Sequence, residues 1–203
     1  MNEIIFVTSN PSKIVSANQY FQKYDINLIP YDYDLIEPRS EDLEEIAKSK
    51  VVQAYNLVQK PCIALDAGFF IDSLNGWPAT FVNFNIKRLG LTGILKLMDG
   101  IKNRQCSFKE CLAYYDGDEV LYFHGESKGT LTSSIVSIEG TNNKWSKLWH
   151  IFVPDNHDKT LAEMSDYERS NRYDNHTSAF DEFANYYCDK KRLLKKYNKK
   201  ASI

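Results

Sequence analysis

Short unbroken apolar runs alternate with helical stripes over the first third of the chain and give way to strands and turns after Gln105. Ile4-Ile5-Phe6-Val7 has the pattern of a strand covered on both faces and predicts a strand from Ile4 to Thr8. Ser9-Asn10-Pro11-Ser12-Lys13 follows, then a helical pattern through Phe21, with Asn10 suited to the cap and Pro11 to the first turn. Ile26 to Ile29 reads as a second short strand, and Tyr31 to Glu41 as an acidic, proline-containing loop. The clearest helix runs from about Ser40, its N-cap, to Gln59, because Leu43, Ile46, Ala47, Val51, Ala54, Leu57 and Val58 recur on one face. Pro61 ends it, and Cys62-Ile63-Ala64-Leu65 reads as another buried strand. Cys106 to Tyr115 and Glu119 to His124 predict a hairpin around Asp116-Gly117-Asp118. Gly125 and Gly129 punctuate the way to a third strand, Thr130 to Ile138. Ala179, Phe180, Phe183, Ala184 and Tyr187 form the stripe of a last helix. This order predicts an α/β fold on a mixed sheet, with one domain over residues 1–188 and a basic tail over 189–203.

Composition narrows the functional classes. The 203 residues carry 25 Lys+Arg against 27 Asp+Glu, which excludes a whole-protein nucleic-acid binder needing a broad positive surface. Hydrophobic residues make up 43%, enough for a core. No apolar run reaches the length of a membrane span, and the opening residues lack the basic region of a signal peptide, so a cytoplasmic protein is expected. Cys62, Cys106, Cys111 and Cys188 show no paired spacing and read as reduced thiols.

Three positions suggest chemistry. The loop from Thr8 to Lys13 joins a buried strand to a helix N-terminus, where unpaired amides and the helix dipole favour an anion; an ordinary capped turn has the same pattern. Lys50 falls near the centre of the apolar stripe between Ile46 and Ala54, where it needs either a compensating anion or a path for its stem to the surface. Asp66 directly follows a buried strand, the place where α/β sheets bind ligands, although a turn cap reads the same way. Together, two lysines, a helix start and carboxylates suit a metal-bound polyphosphate.

At these residues the chain resembles the inosine triphosphate pyrophosphatases, which remove noncanonical purine nucleotides. Thr8-Ser9-Asn10-Pro11-Ser12-Lys13 is similar to the family's opening [ST]-x-N-x-x-K loop. The acidic segment from Glu37 to Ala47, Leu65-Asp66-Ala67-Gly68-Phe69, Ser73-Leu74-Asn75-Gly76-Trp77-Pro78 and Thr160-Leu161-Ala162-Glu163-Met164 with Arg169 resemble later motifs in the same order. The resemblance implies an elongated two-lobed α/β fold with a long mixed sheet, the nucleotide in the cleft, a homodimer, and Mg²⁺-dependent hydrolysis of ITP, dITP or XTP to the monophosphate and pyrophosphate. It further implies that Thr8, Ser9, Asn10, Lys13, Lys50 and Arg169 contact the nucleotide, that Glu37 and Asp66 hold the metal, and that Asp66 orients or deprotonates the attacking water.

The departures from the family motifs carry their own implication. Leu65 stands where the family has a metal-binding carboxylate, Ser16 replaces a glutamate, and Ala67 replaces a hydroxyl residue. Ser146-Lys147-Leu148-Trp149-His150 and Asp174-Asn175-His176 replace the two segments that recognise the purine, leaving His176 as a base contact. This pattern predicts an inactive relative that keeps the triphosphate cradle and signals nucleotide occupancy to an effector protein, as in antiviral defence. The alternative is an active divergent enzyme, with Glu41 or Asp72 replacing the metal ligand and His176 or Trp149 meeting the base. A third reading is an interaction module whose basic run from Lys190 to Lys200 meets nucleic acid or an acidic partner.

Overall fold

The computed structural model describes residues 2–136, 146–171 and 178–200, with side chains described except at 170–171 and 193–200. Among these residues the strands are β1 (Asn2–Val7), β2 (Ile26–Tyr31), β3 (Cys62–Ile71), β4 (Pro78–Ala79), β5 (Gln105–Tyr115), β6 (Val120–Leu131) and β7 (Phe152–Pro154). They form one mixed sheet in the order β2-β1-β3-β5-β6-β7, with β4 beside β3. β1 pairs β2 and β3 in parallel, and the other pairings are antiparallel. The helices are α1 (Pro11–Phe21), α2 (Leu43–Val58), α3 (Val82–Leu97), α4 (Asp166–Asn171) and α5 (Ala179–Lys200).

Strand alternation sends successive side chains of the sheet into two different cores. Phe6, Ile63, Leu65, Leu112 and Tyr114 pack on one face against Phe21 of α1 and Phe180, Phe183 and Tyr187 of α5. Val7, Cys62, Ala64, Cys111 and Ala113 pack on the other face against Ala47, Val51 and Ala54 of α2. Cover on both faces is why β1 and the start of β3 read as unbroken apolar runs. A third cluster gathers the far ends of β3, β5 and β6 with Ile94 of α3 and with Leu148, Leu161 and Met164. No helix among the described residues is long and apolar enough to cross a membrane.

Several boundaries move for local physical reasons. The strand expected to end at Leu65 continues through Asp66 to Ile71, because the whole length of β3 pairs with β5. The expected break between His124 and Thr130 is absent, and β6 runs unbroken to Leu131. Its two glycines answer to close neighbours: a Cβ at Gly125 would meet the Ala179 amide at 2.7 Å, and one at Gly129 would run into the Val153 carbonyl. Asp42, not Ser40, caps α2 by accepting the Glu44 N–H at 2.8 Å, while Ser40 Oγ accepts the Asp42 N–H. Lys190, the first cation of the basic run, is engaged within the fold, 2.7 Å from Asp116 and over the Tyr114 and Tyr186 rings.

Candidate functional site

β3 outruns β1, and the difference in length makes a gap in the sheet. β1 meets β3 only at Ile5–Cys62 and Phe6–Ile63, and β4 rejoins the same edge at Phe69 and Phe70. Residues 64–68 of β3 therefore have no strand on that edge among the described residues. The gap lies at the carboxyl end of parallel strands, where such sheets open a crevice. Lys13 reaches into it from the first turn of α1, and its Nζ donates to the Leu65 carbonyl at 2.9 Å. That ammonium takes the place of a missing ladder donor.

Asp66 sits mid-strand with its side chain toward α2, correcting the expectation that it follows the end of the strand and ruling out the alternative of a turn cap. Lys50 projects from the buried face of α2 and resolves its own burial by pairing twice: Nζ lies 2.6 Å from Glu37 Oε1 and 3.1 Å from Asp66 Oδ1. The Lys50 and Asp66 side chains are each 9% exposed, against 57% for Glu37. The loop carrying Glu37 is clamped to α2 by Gln53, whose amide donates to the Ile36 carbonyl at 2.8 Å and accepts the Ile36 N–H at 3.0 Å. Thr80 Oγ1 donates to the Ser40 carbonyl and ties the other end of that loop to the chain after β4.

Of the two readings of the loop before α1, the structure shows the capped turn rather than a row of unpaired amides. The Thr8 N–H donates to Tyr31, Asn10 N–H to Thr8 Oγ1, Ser12 N–H to Asn10 Oδ1, and Lys13 N–H to the Asn10 carbonyl. What this loop offers an anion is therefore the Lys13 ammonium and the positive end of the α1 dipole, more than a row of open amides.

Charge and burial set the state of the four ionisable groups. Burial, reinforced by the nearby Lys50 charge, lowers the Lys13 pKa from 10.5 to about 8. Burial also pushes against charge on Lys50, but Asp66 and Glu37 more than offset it and hold Lys50 protonated. Burial raises the Asp66 pKa above the ordinary carboxylate value, and the Lys50 and Lys13 charges only partly oppose it. Glu37 is also pushed up by burial, but its charge and hydrogen-bond contact with Lys50 wins and holds its carboxyl low. The result is a dry carboxylate of raised basicity beside a wetter, firmly ionised one.

A cleft of about 440 Å³ opens over this cluster, lined by Thr8, Ser9, Asn10, Lys13, Glu37 and Lys50 together with Tyr33, Asp34, Leu35 and Asn83. Asp66 is not among the lining residues and meets the cleft through Lys50. Tyr33, Asp34 and Leu35 lie in the loop after β2, where Asp34 accepts a hydrogen bond from Ser9 at 3.3 Å; Asn83 lies in the first turn of α3. No spacing in the sequence marks these four. Arg169 is elsewhere: its guanidinium donates to the Leu161 and Met164 carbonyls, pairs with Asp166 and stacks on Trp149 at 5.2 Å. Trp149, Glu41 and Asp72 likewise do not line the cleft, and His176 lies outside the described residues.

The Ham1 family model matches residues 4–186. The chain is 34% identical to the dITP/XTP pyrophosphatase of Saccharolobus solfataricus over 89% of this chain and 91% of that one. It is 33% identical to the Thermococcus kodakarensis dITP/XTP pyrophosphatase, over 90% of this chain and 96% of that one. The chain belongs to the Ham1 family. A HAM1 protein from Coxiella burnetii shares the fold at a TM-score of 0.74 and 22% identity, covering 91% of this chain and 98% of that one. The inosine triphosphate pyrophosphatase resemblance and the α/β fold it implied therefore hold for this Ham1-family chain.

The geometry also removes the premise that Leu65 costs this Ham1-family chain a metal ligand. Alternation along β3 turns residue 65 away from Lys50 and Asp66, and Leu65 is 1% exposed in the cluster with Phe180 and Phe183. A carboxylate there would enter an apolar core on the face opposite the two carboxylates that share Lys50. Leu65→Glu is accordingly expected to lower stability by about 3 kcal/mol, or roughly 6–12 °C in Tm, through burial of an unpaired charge, without raising pyrophosphate release. Thermal melts and a pyrophosphate assay on the same preparation check both parts.

Proposed function

We propose that this chain is an active Mg²⁺-dependent pyrophosphatase that hydrolyses the triphosphates of noncanonical purines, of the dITP and XTP type, to the monophosphate and pyrophosphate. The observation that carries the reading is one ammonium, Lys50, shared by Glu37 and Asp66 beside a second ammonium, Lys13, in a single cleft. Two cations suit a polyphosphate and two carboxylates suit a cation and a base, so the four groups match one ligand. The activities named for the relatives of S. solfataricus and T. kodakarensis support the same reaction class.

In this reading Lys13, Lys50 and the Asn10 side chain bind and orient the triphosphate, and the α1 N-terminus adds its dipole. Asp66, with its raised basicity, positions the attacking water and takes its proton. Glu37 and Asp66 are the residues that would hold Mg²⁺; two carboxylates plus phosphate oxygens fit the way that ion is usually bound, and it supplies neutralisation of charge on the phosphates. Asn83 enters the cleft from α3 while the other lining residues come from the loop between β1 and α1, from α1 and α2, and from the loop between β2 and α2, which supports a nucleotide seated between two lobes. With the Leu65 premise gone, the inactive sensor rests on the changes at Ser16, Ala67 and the two purine-recognition segments.

Pyrophosphate release from a panel of dITP, XTP, dATP and dGTP with Mg²⁺ tests the proposal. Turnover selective for dITP or XTP is expected. Tight binding of dITP without release would restore the sensor, and indifference to every nucleotide would leave neither.

A further inference from the structure

Lys50 stands between the cleft and the residue that must do chemistry. It lines the cleft, whereas Asp66 does not, and its ammonium contacts both carboxylates at 2.6 and 3.1 Å. We infer that the Lys50 ammonium is a stand-in for the divalent cation in the nucleotide-free protein, and that it leaves its place between Glu37 and Asp66 only when metal and triphosphate arrive together. The identity of the incoming ligand rests on the hydrolase reading above; the occupied position of Lys50 does not.

The two cations cannot share the position. A Mg²⁺ ion bonds carboxylate oxygens at about 2.0–2.1 Å, so one held by the same two oxygens would lie within a few ångströms of Nζ with little water between the charges. An ion entering alone from solvent reaches the half-exposed Glu37 first, and meets Lys50 before it meets Asp66. Lys13 adds a second ammonium in the same cleft. A bare divalent cation therefore meets two like charges, while a polyanion brought with the metal offsets both and gives the displaced Lys50 a new partner.

The scaffold permits this exchange without rearranging the carboxylates. Lys50 is carried on a helix fixed by Ile46, Ala47, Val51 and Ala54, so movement falls to its own flexible stem. The Gln53 clamp on Ile36 holds the Glu37 loop independently of Lys50, and Asp66 is fixed in the middle of β3. Lys50 is thus a positioning residue twice over: it keeps two carboxylates convergent and neutralised before the ligand comes, and it enforces entry of the metal–nucleotide complex over the free ion. The competing arrangement is a Lys50 that never moves, using its remaining N–H to hold phosphate while the metal sits outside.

Mn²⁺ binding to the full chain without nucleotide, by calorimetry and by electron paramagnetic resonance, separates the two. Wild type is expected to bind Mn²⁺ weakly. Lys50→Gln and Lys50→Met should bind it roughly tenfold tighter or better, with a larger rise in Tm on adding the metal, while dITP affinity falls. If Lys50→Met is unfolded alone, recovery of its circular dichroism on adding Mn²⁺ supports the inference, and failure to recover opposes it. Variants that bind Mn²⁺ no tighter than wild type overturn it. Wild-type dITP hydrolysis is measured on the same preparations: turnover with unchanged Mn²⁺ affinity in the variants sinks this inference alone, whereas tighter Mn²⁺ binding in the variants without wild-type turnover sinks the hydrolase reading alone.

Discussion

Asp66→Asn is expected to lower kcat for dITP roughly a thousandfold while changing nucleotide affinity little, the size of effect removal of a positioned general base commonly has. Asn keeps the shape of the side chain and an oxygen for Lys50 to donate to, so the arrangement around β3 survives while proton acceptance and the negative charge offered to Mg²⁺ are lost. The surroundings of Asp66 make the pH profile a second readout. Burial raises its pKa, so the acid limb of wild-type kcat/KM should lie above the ordinary aspartate range, and activity should climb as Asp66 ionises. Asp66→Asn should erase that limb from whatever activity remains. Steady-state kinetics between mildly acidic and neutral pH, with binding measured separately by calorimetry, tests the assignment; a variant that retains most of its kcat would remove Asp66 from the role of base.

Lys13→Met is expected to separate stability from function. The Lys13 pKa lies at about 8 in the folded chain against the ordinary lysine value of 10.5, so folding works against its charged form. Below pH 8 the lysine is charged in both states and the cost is fully felt. As pH rises from 8 toward 10.5, the folded protein sheds the proton while the unfolded chain keeps it, and stability increases. Removing the charge should therefore raise stability at neutral pH by about 1–2 kcal/mol after the lost bond to the Leu65 carbonyl is allowed for, or roughly 2–8 °C in Tm. The gap from wild type should shrink toward pH 10. The same substitution takes a charge-assisted bond from the triphosphate and should raise KM for dITP roughly 10–100-fold. Wild-type affinity should itself weaken above about pH 8 as Lys13 loses its proton. Melts across pH together with KM values check both sides. A variant less stable than wild type at pH 7, or one with unchanged KM, contradicts the account of Lys13 as a strained cation kept for an anionic ligand.

Local pattern revealed the components of the site better than their assembly. Lys50 was legible because a cation in the centre of an apolar helical stripe has few ways to be satisfied, and the structure supplies two carboxylates. Lys13 was legible as the lysine closing a loop that runs into a helix N-terminus, a place that favours an anion. Asp66 was found but placed at the end of a strand, since a lone polar residue reads as a stop when its partner on α2 is unseen; pairing with β5 carries the strand through it. Gly125 and Gly129 were read as punctuation for a similar reason, because the chain approaching each of them comes from distant residues, the start of α5 and β7. Helix α3 has no counterpart among the elements expected from the sequence, and its Gly90, at φ 64°, breaks the helical backbone midway. Leu65 is the instructive failure. Motif position suggested a missing ligand, and only strand alternation shows that position 65 faces the other core. Tyr33, Asp34, Leu35 and Asn83 reach the cleft through tertiary placement alone.

Single-turnover hydrolysis of dITP in ¹⁸O-labelled water, with Mg²⁺ and excess protein, tests the central claim most directly. The account predicts prompt cleavage with the label in the deoxyinosine monophosphate and none in the pyrophosphate, as water attack at the α-phosphorus requires. Intact dITP, or label appearing in released orthophosphate, would contradict it.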